Sequence, residues 1–338
     1  MTTVDRNASA AGAPSRLLVL AAFAAIYVIW GSTYLAIKYG VETVPPFFMS
    51  AARFFVAGLV LYGWSAFRDR RQENVAEQKT ASATGRMWRD AFIVGALLIV
   101  GGTALVAWAE QSVPSGITSL VLATTPLWMV LLESVEARRA PSPRVLAGLA
   151  VGIAGLAILV GSVVSPGTGV SLLGVGALTT ASLAWSIGAM YSRRATLPAS
   201  PARATGMQMI AGSLLSLVGA FALGEHHDVS LAAITPVSAL AIAYLLIAGA
   251  LVGFSAYLWL MRVSTPSRVA THAYVNPVVA VLLGWGVAGE SITPRTAIAM
   301  VVIVIGVVLI VSAPKPARAA DSHRVAPGDH RRASVRAA

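Results

Sequence analysis

The stretch LLVLAAFAAIYVIWGSTYLAI, residues 17–37, decides the fold of this chain because it contains no charged side chain. A helix of this length rises about 30 Å, which is the thickness of the hydrocarbon core of a bilayer. Nine further stretches of similar length and hydrophobicity follow it. We therefore predict an all-α membrane protein with ten transmembrane helices, in which the first stretch is a retained span rather than a signal peptide.

Short connections separate the ten predicted spans. The spans are Leu17–Ile37, Phe47–Phe67, Ala91–Ala109, Ser115–Val135, Val145–Gly161, Leu172–Tyr191, Ala204–Leu223, Leu240–Met261, Val269–Val287 and Thr296–Ser312. The two ends of the chain, residues 1–15 and 314–338, are polar and rich in Ala, Pro and Arg. Such composition cannot bury enough apolar surface to fold, so we predict two disordered tails.

The composition excludes several classes of function. The chain is 57% hydrophobic and 12% charged, whereas soluble domains carry about 25% charged residues. It has no cysteine, which rules out disulfides and thiolate metal sites. The patterns HExxH, GxxxxGK[ST] and GxSxG are absent, so we predict no enzyme, no cofactor and no metal site. The net charge of +11 indicates basic cytoplasmic loops rather than a nucleic-acid partner.

Lysine and arginine fall almost entirely on one side of the predicted membrane. With the N-terminus inside, all but three of the 25 basic residues lie in inner segments, the exceptions being Lys38, Arg53 and Arg295. Cytoplasmic loops of multi-pass proteins carry this excess. We therefore predict that both termini are cytoplasmic and that the basic C-terminal tail contacts anionic lipid.

The two halves of the sequence resemble each other. WGSTYLAIKYGVETVPP (residues 30–46) aligns with WSIGAMYSRRATLPASP (residues 185–201), and residues 108–126 align with residues 259–277. We predict two repeats, residues 16–162 and 163–313, each with five helices. Because five is odd, the second copy enters the membrane from the opposite side. Such inverted repeats are typical of secondary transporters.

Two prolines occupy matching positions near the middle of the fourth and ninth predicted spans. Pro126 and Pro277 each remove a backbone donor, and irregular backbone at this depth persists only where protein or a wet cavity covers it. Polar residues precede both prolines: Thr124, Thr125, His272, Tyr274 and Asn276. We predict that the prolines are hinges and that the polar residues bind substrate. The alternative is a packing kink in which hydroxyls bond to their own helix.

Aromatic residues recur at paired positions in the predicted helices. Trp30, Trp108 and Trp185 lie in helices 1, 3 and 6, with Tyr34 in helix 1 and Tyr257 in helix 8. We predict that they contribute to the same substrate site. The alternative is an aromatic belt at the membrane interface, where such residues usually lie.

Arg53 and Glu110 are ionisable residues near the outer ends of predicted spans. Ionisable groups in spans are costly and often functional. We predict that the two pair with each other or bind a zwitterionic substrate. The alternative is that both side chains extend to the interface. His272 is a candidate proton carrier because an imidazole titrates near neutral pH.

Three segments of the chain resemble one known family. They are WGSTYLAIKYGVETVPPFFMSAARFFVAG (residues 30–58), AWAEQSVPSGITSLVLATTPLW (residues 107–128) and AYVNPVVAVLLGWGVAGESITPRTAIAMVVIVIGVVLIV (residues 273–311). These segments resemble the EamA-type branch of the drug/metabolite transporter superfamily, and AEQSVPSG is most similar to its YedA-like subgroup.

The resemblance implies ten helices in two inverted five-helix repeats around a central cavity. It also implies export of metabolites, amino acids or drugs across the bacterial inner membrane. In the family, helices 1, 3, 4, 6, 8 and 9 line the cavity. That lining favours Trp30, Tyr34, Thr125, Trp185, Tyr257, Tyr274 and Asn276. The long arginine-rich tail after Ser312 departs from the family pattern.

We expect a secondary exporter of a small amphipathic solute that works by alternating access, as a monomer or a homodimer. Coupling to a proton or to a counter-solute stays open. An importer on the same fold is one alternative. A membrane enzyme acting on lipid-linked substrates is another. It would need convergent acid/base or metal groups, and the candidates do not converge by helix and depth: Arg53, Glu110, Glu133 and His272. A non-transporting scaffold would not need paired prolines with polar neighbours.

Overall fold

The computed structural model describes residues 15–72, 85–138, 140–163, 171–264, 269 and 272–312. Across these residues the chain forms helices joined by short connections, with no strand among them. A helix, numbered below in chain order, overlaps each predicted span. Of the two predicted tails, only Ser15 lies within the described residues.

The bounds of the helices agree closely with the predicted spans. They are α1, Arg16–Val41; α2, Pro46–Gln72; α3, Gly85–Ala109; α4, Ser115–Leu122 and Thr125–Ala137; α5, Pro143–Val163; α6, Leu172–Ser192; α7, Pro201–Ala222; α8, Pro236–Tyr244, Leu245–Gly253 and Phe254–Val263; α9, His272–Ala288; and α10, Pro294–Val311. Two short 3₁₀ turns, Glu225–His227 and Leu231–Ala233, connect α7 to α8.

Within the described residues, seven helices are long and apolar enough to cross a membrane: α1 to α4 and α6 to α8. The other three, α5, α9 and α10, are apolar over shorter lengths. The prediction of an all-helical protein with several apolar spans is therefore confirmed. These apolar stretches are helical because in lipid every backbone polar group must be satisfied within the spanning segment itself.

Hydroxyl side chains fix several helix starts. The Ser15 hydroxyl accepts from the backbone N–H of Leu18 at the start of α1, and Thr235 and Thr293 cap α8 and α10 in the same way. These caps satisfy N–H groups that have no partner inside the helix. Prolines in the first turn of α7, α8 and α10 help to start these helices, since they have no N–H to satisfy.

The two matching prolines differ in whether the helix around them is continuous. Helix α4 is interrupted at residues 123–124, and Pro126 lies in the first turn of the segment that follows. Pro277 lies inside α9, which is continuous from His272 to Ala288. The sequence predicts a hinge at both positions, whereas the structure interrupts the helix only before Pro126.

Both α3 and α8 contain a π-helical stretch in the middle. These stretches, Ala96–Ala104 and Leu245–Gly253, are nine residues each. They fall at corresponding places in the two halves of the sequence. π-Helical turns inside α-helices are uncommon and are frequent at functional sites.

Glycines allow the closest helix contacts. A Cβ atom added to Gly306 of α10 would lie 2.6 Å from the backbone nitrogen of Gly152 and 2.9 Å from the carbonyl oxygen of Gly148, both in α5. Helices α2 and α7 approach in the same way at Gly58 and Gly206. The sequence predicts the α5–α10 contact from the GxxxG of Gly148 and Gly152, since such residues favour close packing in lipid. It predicts that helices 5 and 10 pack together through Gly155 and Gly306, within the chain or between chains.

The packing of the first half is matched by that of the second. Helix α2 packs along its counterpart α7, and α5 along its counterpart α10. Helix α1 packs against α9, and its counterpart α6 packs against α4, the counterpart of α9. These contacts between the halves are therefore formed by helices that match in the sequence alignment.

Candidate functional site

Three of the predicted site residues meet between α1, α8 and α9. The ring centroid of Trp30 lies 5.1 Å from that of Tyr257 and 5.3 Å from that of His272, and the Tyr257 and His272 centroids are 6.0 Å apart. The Trp30 indole N–H donates to the carbonyl oxygen of Gly249 in the π-helical stretch of α8. We call Trp30, Tyr257 and His272 the aromatic group. It brings one residue of the first half together with two of the second.

Asn276 lies one turn after His272 on α9 and is almost fully buried. Its amide lies 3.0 Å from the carbonyl oxygen of His272 and 3.3 Å from that of Tyr27, and its nitrogen donates to both when the amide is oriented to fit them. Asn276 therefore links α9 to α1 beside the aromatic group.

Thr125 makes the corresponding link between α4 and α6. Its hydroxyl donates to the carbonyl oxygen of Leu122 at 2.6 Å and lies 2.8 Å from the hydroxyl of Ser182. A threonine has one hydroxyl proton, so Ser182 is the donor to Thr125. Thr125 and Asn276 are equivalent in the sequence alignment, and in the structure both join equivalent helix pairs.

The other predicted residues of these helices bond to their own helix or pack against neighbouring helices, where their side chains are described. The Thr124 hydroxyl donates to the carbonyl oxygen of Val121 in its own helix, which is the alternative given above. Trp108 packs against the buried cluster of Phe47, Ala104 and Ala220. A Cβ atom on Gly102 would lie 2.8 Å from the Trp185 ring, so Trp185 packs against α3. The side chain of Tyr274 lies outside the described part of the structure.

A polar cluster closes one end of the bundle. Glu290, in the connection between α9 and α10, accepts from the Lys38 ammonium at 2.9 Å, from the Ser115 N–H at 2.9 Å and from the Ser115 hydroxyl at 2.8 Å. Its second oxygen accepts from the Gly116 N–H at 3.0 Å. We call these four residues the latch. It joins α1 and the start of α4 to the second half of the chain.

Burial raises the pKa of Glu290, but hydrogen bonds from Lys38, Gly116 and Ser115 outweigh it and leave the pKa below its ordinary value. The carboxylate is therefore the stable form in the closed latch. Sequence reasoning missed this role. The available signal was an acidic residue in the last predicted outer connection, on the same predicted side as Lys38.

Glu225 has a comparable role at the same end and was also missed. Its carboxylate accepts from the backbone N–H groups of Phe47, at 3.1 and 3.2 Å, and Phe48, at 3.0 Å, at the start of α2. Burial outweighs these hydrogen bonds and leaves the pKa of Glu225 above its ordinary value. The connection between α7 and α8 thus supplies the cap of a helix in the first half.

The opposite end of the bundle is rich in arginine, and we call it the arginine end. Arg193, just after α6, forms an ion pair with Glu133 of α4 at 3.1 Å. Asp90 of α3 accepts from the Thr196 N–H at 2.7 Å and from the Tyr191 hydroxyl at 3.1 Å. Further contacts at this end are Arg194 with Glu136, Arg89 with Asp90, and Arg144 with Ser312.

Arg53 and Glu110 are both buried, with 5% of each residue exposed. Among the described residues no ion pair joins them, and the Arg53 Nε and both Glu110 oxygens have no hydrogen-bond partner. They interact electrostatically with each other, and Glu110 also does so with Tyr34. The structure thus places three predicted residues near one another, without direct contact between the two charges.

Comparison with known proteins agrees with the fold. The model of the EamA-like transporter family matches residues 17–161 and again residues 172–312. The inner membrane transporter YedA of Escherichia coli (strain K12) is 34% identical over 301 residues, covering 87% of this chain and 90% of that protein. A probable amino-acid metabolite efflux pump of Salmonella typhimurium is 23% identical over 288 residues, covering 83% of this chain and 90% of that protein.

One solved crystal structure of a protein with 23% identity matches 88% of this chain and 98% of its own, with a TM-score of 0.59. At this identity the likeness shows the fold alone. The family model covers most of the chain in two consecutive matches, and the relative at 34% identity is aligned over nearly its whole length. This chain belongs to the EamA-like transporter family.

Proposed function

We propose that this protein is a secondary transporter that exports small metabolites, amino acids or drugs across the bacterial inner membrane. The observation that carries the proposal is the aromatic group, because it assembles Trp30 from the first half with Tyr257 and His272 from the second. Substrate sites of such transporters lie where two repeats meet. The names of YedA, an inner membrane transporter, and of the Salmonella efflux pump support the location and the direction.

The proposal includes ten crossings arranged as two inverted five-helix repeats, residues 16–162 and 163–313. Three observations support it. The family model matches twice, the packing of one half is matched by the other, and α3 and α8 carry π-helical stretches at corresponding places. Because each repeat has an odd number of helices, consecutive copies run in opposite directions across the membrane.

Alternating access at the interface between the repeats is the proposed mechanism. The latch joins Lys38 and Ser115 of the first repeat to Glu290 of the second, so it must break when the repeats separate at that end. At the arginine end, the Arg193–Glu133 pair is exposed, with 60% and 49% of the side chains accessible. Exposed ion pairs contribute little. The latch end is therefore the tightly closed end in this conformation, and we place it outside.

Solute flux in proteoliposomes tests this function over a panel of amino acids and cationic drugs. The informative variant is Trp30→Ala, which removes the ring shared by the aromatic group. The matched control is Trp285→Ala, because Trp285 is 60% exposed on α9. We expect Trp30→Ala to lower flux by about tenfold or more and Trp285→Ala to leave it near the wild-type rate. Folded protein without flux for any solute, or equal losses in both variants, contradicts the proposal.

A further inference from the structure

Glu110 is a buried carboxyl group with no assigned contact in the transport mechanism described above. It directly follows the last residue of α3 and is 5% exposed. Both carboxyl oxygens lie beneath the solvent-accessible surface, and neither has a hydrogen-bond partner. A buried ionised carboxylate without a partner is strongly unfavourable, and the neutral acid avoids most of that cost.

Lys38, the cation on α1 near Glu110, already forms an ion pair with another residue. Glu110 interacts electrostatically with Lys38 and Glu290, but the Lys38 ammonium is bound to Glu290 at 2.9 Å. Glu290 takes further hydrogen bonds from Ser115 and Gly116, so its negative charge is fixed in place. While the latch is closed, Glu110 interacts electrostatically with this second carboxylate and forms no ion pair with Lys38.

Among the residues that the structure describes, the other charged or titratable groups near Glu110 form neither a hydrogen bond nor an ion pair with it. Tyr34 of α1 and Arg53 of α2 interact with it electrostatically. The Arg53 guanidinium lies over the ring of Phe54, 4.6 Å from its centroid, and it is not within ion-pair distance of Glu110. Burial and Glu290 favour the neutral acid, whereas the charges of Arg53 and Lys38 favour the ionised form.

The enclosure of Glu110 restricts what can bind it in this conformation. A solute with an ammonium group needs an open space beside the carboxyl oxygens, and solvent does not reach either oxygen. A proton needs no such space. The arrangement of a buried acid beside a lysine that is bound to another acid is suited to proton binding.

We propose that Glu110 is the proton-binding site of this transporter, holding a proton while the latch is closed and releasing it when the latch opens. Opening breaks the Lys38–Glu290 pair, so Lys38 becomes available to the Glu110 carboxylate, and water reaches the carboxyl group. The neutral acid then loses its proton to water at the latch end and regains one from the same side before the latch closes, so the pH on that side favours or opposes opening. The coupling to solute movement rests on the proposed function, whereas the protonation of Glu110 does not.

Infrared spectroscopy of the full-length protein in proteoliposomes tests the protonation directly, with the proton as the probe. At neutral pH we expect a carbonyl stretching band of a neutral carboxyl group that disappears in Glu110→Gln. Glu225→Gln and Glu133→Gln are controls, one for a second buried acid and one for an exposed acid, and both should keep the band. A wild-type protein without the band, or a band that survives Glu110→Gln, overturns the proposal.

Two variants of the latch test its link to Glu110 with opposite expected signs. Glu290→Ala removes a negative neighbour and frees Lys38, so the Glu110 band should titrate with about tenfold lower proton affinity. Lys38→Met removes the cation and should shift the proton affinity about tenfold upward. Midpoints that do not move, or that move in the same direction, overturn the link between the latch and the proton.

A flux measurement separates failure of this inference from failure of the proposed function. With a solute from the panel that is transported, we expect acidification on the latch side to slow exchange of labelled for unlabelled solute by the wild type but not by Glu110→Gln, because neutral Glu110 favours the closed latch. Exchange of labelled for unlabelled solute should continue in that variant. Exchange that depends equally on pH in Glu110→Gln and in the wild type contradicts a role of the Glu110 proton in opening the latch while leaving transport itself intact.

Discussion

Two acidic residues cap helix starts that are distant in the sequence. The pKa of one is lowered and that of the other is raised, because their hydrogen bonds and burial differ. Glu290 caps α4 and also binds Lys38, which leaves its pKa below the ordinary value despite burial. Glu225 caps α2 without a bound cation, and burial raises its pKa. The two carboxyl groups should therefore respond to pH with opposite signs.

Replacing Glu290 tests the latch at the level of a single side chain. Glu290→Ala leaves the Ser115 and Gly116 N–H groups and the Lys38 ammonium without their partner, so we expect a loss of about 2 kcal/mol or more in stability. Glu290→Gln should lose less, because its amide oxygen still accepts hydrogen bonds. Thermal unfolding in detergent, followed by tryptophan fluorescence, measures the difference. Equal losses in the two variants contradict this account.

The lowered pKa of Glu290 gives the pH dependence of the latch its sign. A carboxyl group with a lower pKa in the folded protein than in the unfolded chain stabilises the fold above its unfolded pKa, and this stabilisation is lost as the pH falls through its folded pKa. Wild-type stability should therefore fall on acidification more steeply than that of Glu290→Gln. Parallel curves of melting temperature against pH contradict the assignment.

Glu225 should show the opposite sign. Its raised pKa means that its contribution is present below the unfolded pKa and is lost as the pH rises through the folded value. Relative to the wild type, Glu225→Gln should therefore be more stable at neutral pH than at mildly acidic pH. Glu225→Ala should be about 1 kcal/mol less stable than Glu225→Gln at both pH values, because the Phe47 and Phe48 N–H groups lose their cap. A constant difference between Glu225→Gln and the wild type argues against this interpretation.

At the scale of elements, close helix approach depends on glycines that face backbone. Helices α5 and α10 meet at Gly306, where an added Cβ atom would contact the nitrogen of Gly152. Backbone cannot move aside as a flexible side chain can. By contrast, an added Cβ atom on Gly286 of α9 meets nothing within 4 Å.

A matched pair of alanine substitutions tests this difference. Gly306→Ala should destabilise the protein by about 1–3 kcal/mol, because the added methyl group overpacks the α5–α10 contact. Gly286→Ala should be neutral or stabilising by up to about 1 kcal/mol, since alanine favours a helix more than glycine does. Thermal unfolding of both variants in the same detergent decides the matter. Similar losses in the two would show that helix packing is not the cause.

At the scale of the whole molecule, the two ends of the bundle differ in charge and in closure. The latch end holds Lys38 and Glu290 in a partly buried hydrogen-bonded cluster. The arginine end holds several exposed pairs, including Arg193 with Glu133. Because cytoplasmic loops carry most of the positive charge, the arginine end is the proposed cytoplasmic end.

Single cysteines test this orientation, since the chain has none of its own. Ser230, between α7 and α8, and Ser142, before α5, are both exposed and lie at opposite ends. In intact bacterial cells, a membrane-impermeant thiol reagent should label Ser230→Cys. It should label Ser142→Cys only after permeabilisation. The reverse pattern would contradict the proposed orientation.

The sequence by itself determined the helices and the family. Each helix is a local property, because an apolar stretch such as residues 17–37 must satisfy its own backbone in lipid. The repeat pattern likewise indicated which helices correspond, and the α5–α10 glycine contact followed from spacing. The predicted site was partly assembled: Trp30, Tyr257 and His272 meet, while Thr124 bonds only within its own helix.

Only the tertiary structure decided which charged groups touch. Glu290 binds residues 252 and 175 positions away, Lys38 and Ser115, and no local pattern encodes that meeting. Arg53 and Glu110, which the spans placed at the same side, come near each other without forming a pair. The physical reason is that hydrophobicity and backbone hydrogen bonding fix where a helix lies along the chain. The rotation and packing of helices fix which side chains face each other.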